Sequence, residues 1–145
     1  MAVSGTKEFD IKAAPAEVMA ALVAVDRLGE WSSSHKKVEI ETTHPDGRPD
    51  RVRMTVSVVG ITDEQVVDYS FEGDEKLSWT LVSSTQQRQQ DGSYVLSPNA
   101  DGGTHVVFEL TVDPTIPLPG FIVKKAQKHA LETASKGLTK FVEGL

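Results

Sequence analysis

The chain contains no cysteine, which excludes disulfides, thiolate nucleophiles, iron–sulfur clusters and cysteine-type zinc sites together. Positive charge is scarce too: 15 Lys and Arg stand against 21 Asp and Glu, a formal net charge of −6. Nucleic-acid backbones are gripped mainly by Lys and Arg neutralising phosphates, so no nucleic-acid partner is expected. No apolar run approaches the roughly 18 residues that cross a bilayer, which predicts no stable membrane insertion. The opening residues Met1 to Lys7 lack the apolar stretch of a secretory signal, so a cytoplasmic location is the expectation. There is no Gly-rich phosphate loop and no nucleophile elbow. His35, His44, His105 and His129 show no metal-ligand spacing. No cofactor, no metal and no assigned catalytic residue follow as expectations.

What is present suits one domain over residues 1–145: 39% apolar and 25% charged residues in a chain of 145. Val3 to Ile11 reads as a strand. Ala14-Pro15-Ala16-Glu17 opens a helical segment through Val25, with proline where a missing donor costs nothing. Asp26 is placed to cap a second short helix, Arg27 to Glu30, ahead of Trp31 and the Ser32-Ser33-Ser34 loop. From Lys37 the period changes to two, with Val38 and Ile40 alternating with charged residues before a turn at His44 to Pro49. Val52, Met54, Val56 and Val58 then form the dry face of a strand whose wet face carries Arg51, Arg53, Thr55 and Ser57. Gln65 to Glu72 and Leu77 to Leu81 continue the alternation across a turn at Gly73 to Lys76. Ser83 to Gln90 has no apolar partner at either period and is open between an exposed strand and a loop. Tyr94 and Leu96 restore alternation, and Thr104 to Asp113 is a clear strand with Val106, Phe108, Leu110 and Val112 on one side. Seven strands joined by tight turns favour an antiparallel meander.

The last segment sets the architecture. Pro117-Leu118-Pro119-Gly120 leads into an uninterrupted helical pattern to Leu145, whose inner stripe reads Ala126, Ala130, Ala134, Leu138, Phe141 and Leu145. The fold class is therefore α+β: a long C-terminal helix gripped by a seven-stranded curved antiparallel sheet, with two short helices after strand one. Three alanines facing a concave sheet leave room beneath the helix.

This order of elements resembles the SRPBCC superfamily of START-like and Bet v 1-like helix-grip proteins, within it the bacterial polyketide cyclase/dehydrase and coenzyme Q-binding-like branch. The resemblance spans essentially the whole chain. It is carried by Ala14-Pro15-Ala16-Glu17-Val18, Trp31, Leu77-Ser78-Trp79, Gly92-Ser93-Tyr94 and Leu118-Pro119-Gly120-Phe121. It implies a cavity between sheet and helix that receives lipids, sterols, polyketides, quinones or other apolar molecules, with catalysis in only some members.

A pocket of that kind needs an apolar lining and a few placed polar groups. Candidate lining residues are Met54 and Val56 on one strand, then Tyr69 with Phe71 and Trp79 with Leu81 on the next two. Tyr94, Phe108 and Leu110 follow on the last two strands, and Ile122, Ala126 and Ala130 on the helix. Each of these is equally able to serve as packing. His129 and Thr133 lie one helical turn apart beside the alanine stripe, placed to hydrogen-bond a ligand oxygen at the cavity entrance; the other reading of His129 is a partly exposed flank beside Lys125 and Lys128. Gln86, Gln87, Gln89 and Gln90 make one wall polar if their strand lines the pocket, and a polar wall favours an amphiphile carrying hydroxyl or carbonyl groups. The first functional expectation is binding or transport of a hydrophobic small molecule without turnover, its partner being that ligand. The alternative is a polyketide cyclase/aromatase or dehydratase in the same cavity, with His129, Tyr69 or Tyr94 moving a proton. A protein-interaction module using an exposed apolar patch is a third.

Overall fold

The computed structural model describes residues 2–145. Strand β1 (Val3–Ile11) is followed by helix α1 (Pro15–Val23) and a 3₁₀ turn at Val25–Glu30. Six strands come next: β2 (His35–Ile40), β3 (Arg51–Val58), β4 (Ile61–Glu72), β5 (Lys76–Ser84), β6 (Gln87–Pro98) and β7 (Thr104–Pro114). The chain ends in α2 (Gly120–Glu132), a π-helical turn at Thr133–Gly137, and α3 (Leu138–Glu143). All seven strands form one antiparallel sheet in the order β1-β7-β6-β5-β4-β3-β2, so strands two to seven make a meander and the first strand returns beside the last. Register slips at His35/Lys37, Val66/Val67 and Gln87/Gln89. Such bulges bend and twist their strands, and here they curl the sheet around the helix.

Period-two alternation decides which face is dry. Val52 and Met54 on β3, Val67 and Tyr69 on β4, Tyr94 and Leu96 on β6, and Val106 and Phe108 on β7 are all buried. Helix α1 begins with Pro15 at its first turn and drives Val18, Met19 and Leu22 inward. Asp26 does not cap the following turn. Val25 is pulled into the core, which starts the 3₁₀ turn two residues earlier than expected and leaves Asp26 inside it, with Ala24 at the cap position and no side-chain cap bond.

The C-terminal helix is not regular throughout. Ala126, Ala130, Ala134, Leu138 and Val142 are spaced by four, and on an ideal helix such a row drifts by about 40° per step. The π turn at Thr133–Gly137 takes up one extra residue and swings the row back toward the sheet. Leu138 is therefore 0% exposed and Val142 5%. The expected continuation of the stripe to Leu145 fails: after the π turn Val142 takes the inner position, Phe141 sits half-buried under the Arg27 guanidinium, and Leu145 is 71% exposed. Gly137 lies in the same turn, where an added Cβ would stand 2.6 Å from the Trp31 carbonyl oxygen, so the absence of a side chain lets the helix close on the 3₁₀ segment. No helix among the described residues is long and apolar enough to cross a membrane.

Candidate functional site: a cavity beneath the C-terminal helix

Helix α2 contains no buried residue. A helix docked against a sheet normally hides an apolar stripe. Here the space under it is a cavity of about 300 Å³, at the lower end of the roughly 300–1,000 Å³ usual for small-molecule sites. Ala126, Ala130 and Ala134 form its roof, with His129 and Thr133 beside them. Met54 and Val56 from β3, Tyr69 from β4, Trp79 from β5, Tyr94 from β6, and Phe108 and Leu110 from β7 line the sheet side.

Three expected lining residues stand elsewhere. Phe71 lies at the end of β4 beyond the cavity, where the β2–β3 connection folds over it and sets His44 edge-on at 5.9 Å and the Arg48 guanidinium 5.1 Å above its ring. Leu81 sits where the β4–β5 register slips opposite Val67, half-buried against the core and outside the lining. Ile122 is one step too early in the four-residue row; the drift of that row turns it aside and Val123 takes the inward place.

The floor is aromatic. The rings of Trp79 and Phe108 lie 6.0 Å and 4.8 Å from that of Tyr94, and Tyr69 meets Trp79 edge-on at 6.0 Å. Gly92, the cross-strand partner of Trp79, makes this possible, since a Cβ there would collide with the indole. Tyr69 and Tyr94 are buried, and burial holds both phenols well above their usual pKa, Tyr94 further raised by the neighbouring Tyr69. Both are therefore protonated hydroxyls at neutral pH. Both residues line the cavity, and neither hydroxyl makes a hydrogen bond within the described residues.

One wall is polar, and the glutamine segment that the sequence left open supplies much of it. Gln86, Gln87 and Gln90 line the cavity, joined by Asp63 and Gln65 from β4, whereas Gln89 turns away to donate to Asp91 at 2.7 Å. Trp79 Nε1 donates to Gln90 Oε1 at 2.9 Å. Gln90 Nε2 donates to Gln87 Oε1 at 2.8 Å and to Gln65 Oε1 at 3.3 Å. Gln87 Nε2 in turn donates to Asp63 Oδ2 at 2.7 Å and to Gln65 Oε1 at 3.1 Å. The Asp63 carboxylate also accepts from Ser84 Oγ, from the Thr85 amide and hydroxyl, and from the Gln86 amide, which fixes the β5–β6 turn.

At the far side two histidines meet two buried serines. His129 Nε2 lies 2.7 Å from Ser34 Oγ, joining α2 to the loop before β2. His35 Nδ1 lies 2.6 Å from Ser32 Oγ, and burial lowers the His35 pKa to about 4, so its imidazole is neutral at physiological pH. Trp31 closes this corner with a buried indole N–H that has no partner among the described residues.

An apolar chamber with a polar wall, held between a curled antiparallel sheet and a C-terminal helix, defines the helix-grip class of ligand-binding folds. Residues 2–144 match the family model described as polyketide cyclase / dehydrase and lipid transport, and the chain belongs to that family. No curated protein matches it. Among solved structures, a START superfamily protein from Mycobacterium smegmatis is 23% identical over 99% of this chain and 97% of its own, with a TM-score of 0.85. A Thermus thermophilus protein is 22% identical over 98% of both chains, with a TM-score of 0.81. The Zhui aromatase/cyclase from a Streptomyces species is 11% identical over 99% of this chain and 94% of its own, with a TM-score of 0.84. At these identities the likeness establishes a common fold.

Proposed function

We propose that the chain binds and carries a hydrophobic small molecule, of lipid, quinone or polyketide-like character, in the cavity between the sheet and α2. The observation that carries this reading is the roof: a thirteen-residue helix with no buried residue, standing over about 300 Å³ of space lined by alanines and aromatic rings. An unfilled apolar space of this size is costly in a folded core, and a ligand with about 300 Å² of apolar surface gains roughly 7 kcal/mol by entering it, before ordering costs are met. Met54, Val56, Tyr69, Trp79, Tyr94, Phe108, Leu110, Ala126 and Ala130 make the apolar contacts, and His129 and Thr133 offer polar ones. Denaturing extraction of protein purified from its native source, followed by mass spectrometry, is expected to release a discrete apolar compound in near-stoichiometric amount. Repeated recovery of none, with no saturable uptake of added amphiphiles, would refute the reading.

A second reading, a cyclase/aromatase or dehydratase in the same cavity, draws on the His129–Ser34 pair at the wall and the two unpartnered phenols. A general base needs a proton-accepting atom within reach of the substrate, and His129 is the imidazole placed to supply one. Incubation with a poly-β-ketone thioester would then produce new aromatic absorbance that His129→Gln abolishes; unchanged substrate recovered after prolonged incubation removes this reading and leaves the carrier.

A further inference from the structure

The glutamine network has a fixed direction. An ionised carboxylate only accepts and an indole N–H only donates, so the two ends of the chain from Trp79 through Gln90 and Gln87 to Asp63 are unambiguous. Asp63 must receive the Gln87 Nε2 group, which leaves Gln87 Oε1 for Gln90 Nε2 and Gln90 Oε1 for the indole. Gln65 stands beside this chain and receives Nε2 groups from both Gln87 and Gln90 on its Oε1. Its own amide nitrogen is thereby turned outward. Gln65 is 5% exposed and lines the cavity, and its hydrogen bonds within the described residues are both made by Oε1, which leaves Nε2 open to the cavity. This is a donor facing the ligand space, oriented by two neighbours that cannot be reversed.

The charge around that donor is equally one-sided. Asp63 is buried, its carboxylate is bonded only to neutral donors, and no Lys or Arg is present in the lining. His35 adds no positive charge, since burial keeps it neutral. A second anion brought into this chamber would lose its hydration with no Lys or Arg to receive it, His129 at the far side being engaged with Ser34, and would meet the Asp63 carboxylate across a poorly screened interior.

We propose that the cavity selects neutral amphiphiles that present a carbonyl or hydroxyl oxygen to the Gln65 side-chain amide, and rejects carboxylates. The proposal rests on the carrier reading and narrows its ligand class. The Tyr69 and Tyr94 hydroxyls supply further neutral contacts on the same surface, and none of these groups compensates a negative charge.

The test is isothermal titration of the full chain at pH 8 with decan-2-one, decan-1-ol and sodium decanoate, which share a chain length and differ in the head. The ketone and the alcohol are expected to bind at least about 10-fold more tightly than decanoate, the ratio that one unfavourable buried charge contact produces at minimum. Gln65→Leu is expected to weaken the ketone about 10-fold, the value of one buried hydrogen bond, and to leave decanoate unchanged. Decanoate binding as tightly as the ketone, or a Gln65→Leu variant that folds and binds the ketone undiminished, overturns the selectivity while the carrier reading survives. Failure of all three probes to bind the unmodified chain refutes the carrier reading itself. If Gln65→Leu does not fold, the ranking of the three probes on the unmodified chain decides alone.

Discussion

The C-terminal helix covers two unlike interiors. Under α3, Leu138 and Val142 press against Ile11, Val18, Met19 and Val106 in a core with almost no exposure. Under α2 the same sheet meets only alanines and the flanks of longer side chains, and the space stays open. The hydrophobic periodicity is similar in both halves. What differs is side-chain volume: leucine and valine at the inner positions of one half, methyl groups at those of the other. The solid half supplies stability, and the hollow half is released from that task. Its polar wall follows the same division, because buried amides that would weaken a close-packed core become assets where a ligand must be oriented.

Substitutions at matched positions of the inner row break this contrast most strongly. Leu138→Ala should lower unfolding free energy by about 2–5 kcal/mol in urea titrations, while leaving ligand affinity nearly unchanged. Ala130→Phe, eight residues earlier, should change stability by less than about 1 kcal/mol, because the new ring enters existing space, and should reduce ligand affinity at least 10-fold. Equal stability losses at the two positions would mean that the halves are packed alike.

Acid should weaken the corner of the hollow half that His35 occupies. The folded-state pKa of His35 is lowered to about 4 by burial, so its contribution is fully present above the unfolded value near 6.5 and is lost as pH falls toward the folded value. Between pH 7 and pH 4.5 this one group should cost about 2–3 kcal/mol. Urea midpoints at the two pH values, compared with those of His35→Asn, isolate its share; identical pH dependence in the two proteins would exclude burial of a neutral imidazole. Gly92→Ala should cost about 1–3 kcal/mol by overpacking, and should shift the tryptophan emission as the Trp79 indole leaves the floor. The smallest effect is expected at the β3–β4 hairpin. Val59 there has φ 50, a left-handed conformation that costs a β-branched residue about 1–2 kcal/mol. Val59→Asn should therefore raise the thermal midpoint by a few degrees, with stability up by about 1 kcal/mol.

Much of this contrast was legible in the sequence. The alanines at 126, 130 and 134 announced the open roof, and period-two alternation placed Met54, Tyr69, Trp79, Tyr94 and Phe108 on the inner face. The polar wall was only half legible. Asp63 and Gln65 lie in phase with Val67 and Tyr69, and Gln90 lies in phase with Tyr94, so strand parity already pointed them inward. A pattern search keyed to apolar residues passes over such positions, because inward polar groups erase the alternation that identifies a strand. His35, at the start of β2, gave no local sign of burial; its environment is made by the distant helix and the 3₁₀ turn. The misplacements of Phe71, Leu81 and Leu145 share a cause, since a covering loop, a register slip and a π turn each change facing through contacts remote in sequence.

Ligand is expected to enter the hollow half and no other part of the molecule. Methyl-labelled protein saturated with decan-2-one and studied by isotope-filtered NMR tests it directly. The expected result is intermolecular NOEs to the methyl groups of Val123, Ala126, Ala130 and Thr133, with none to Val18, Leu138 or Val142. NOEs confined to exposed residues such as Ile116, or no contact with the alanine row at saturating ketone, would show that the hollow half is not the binding site.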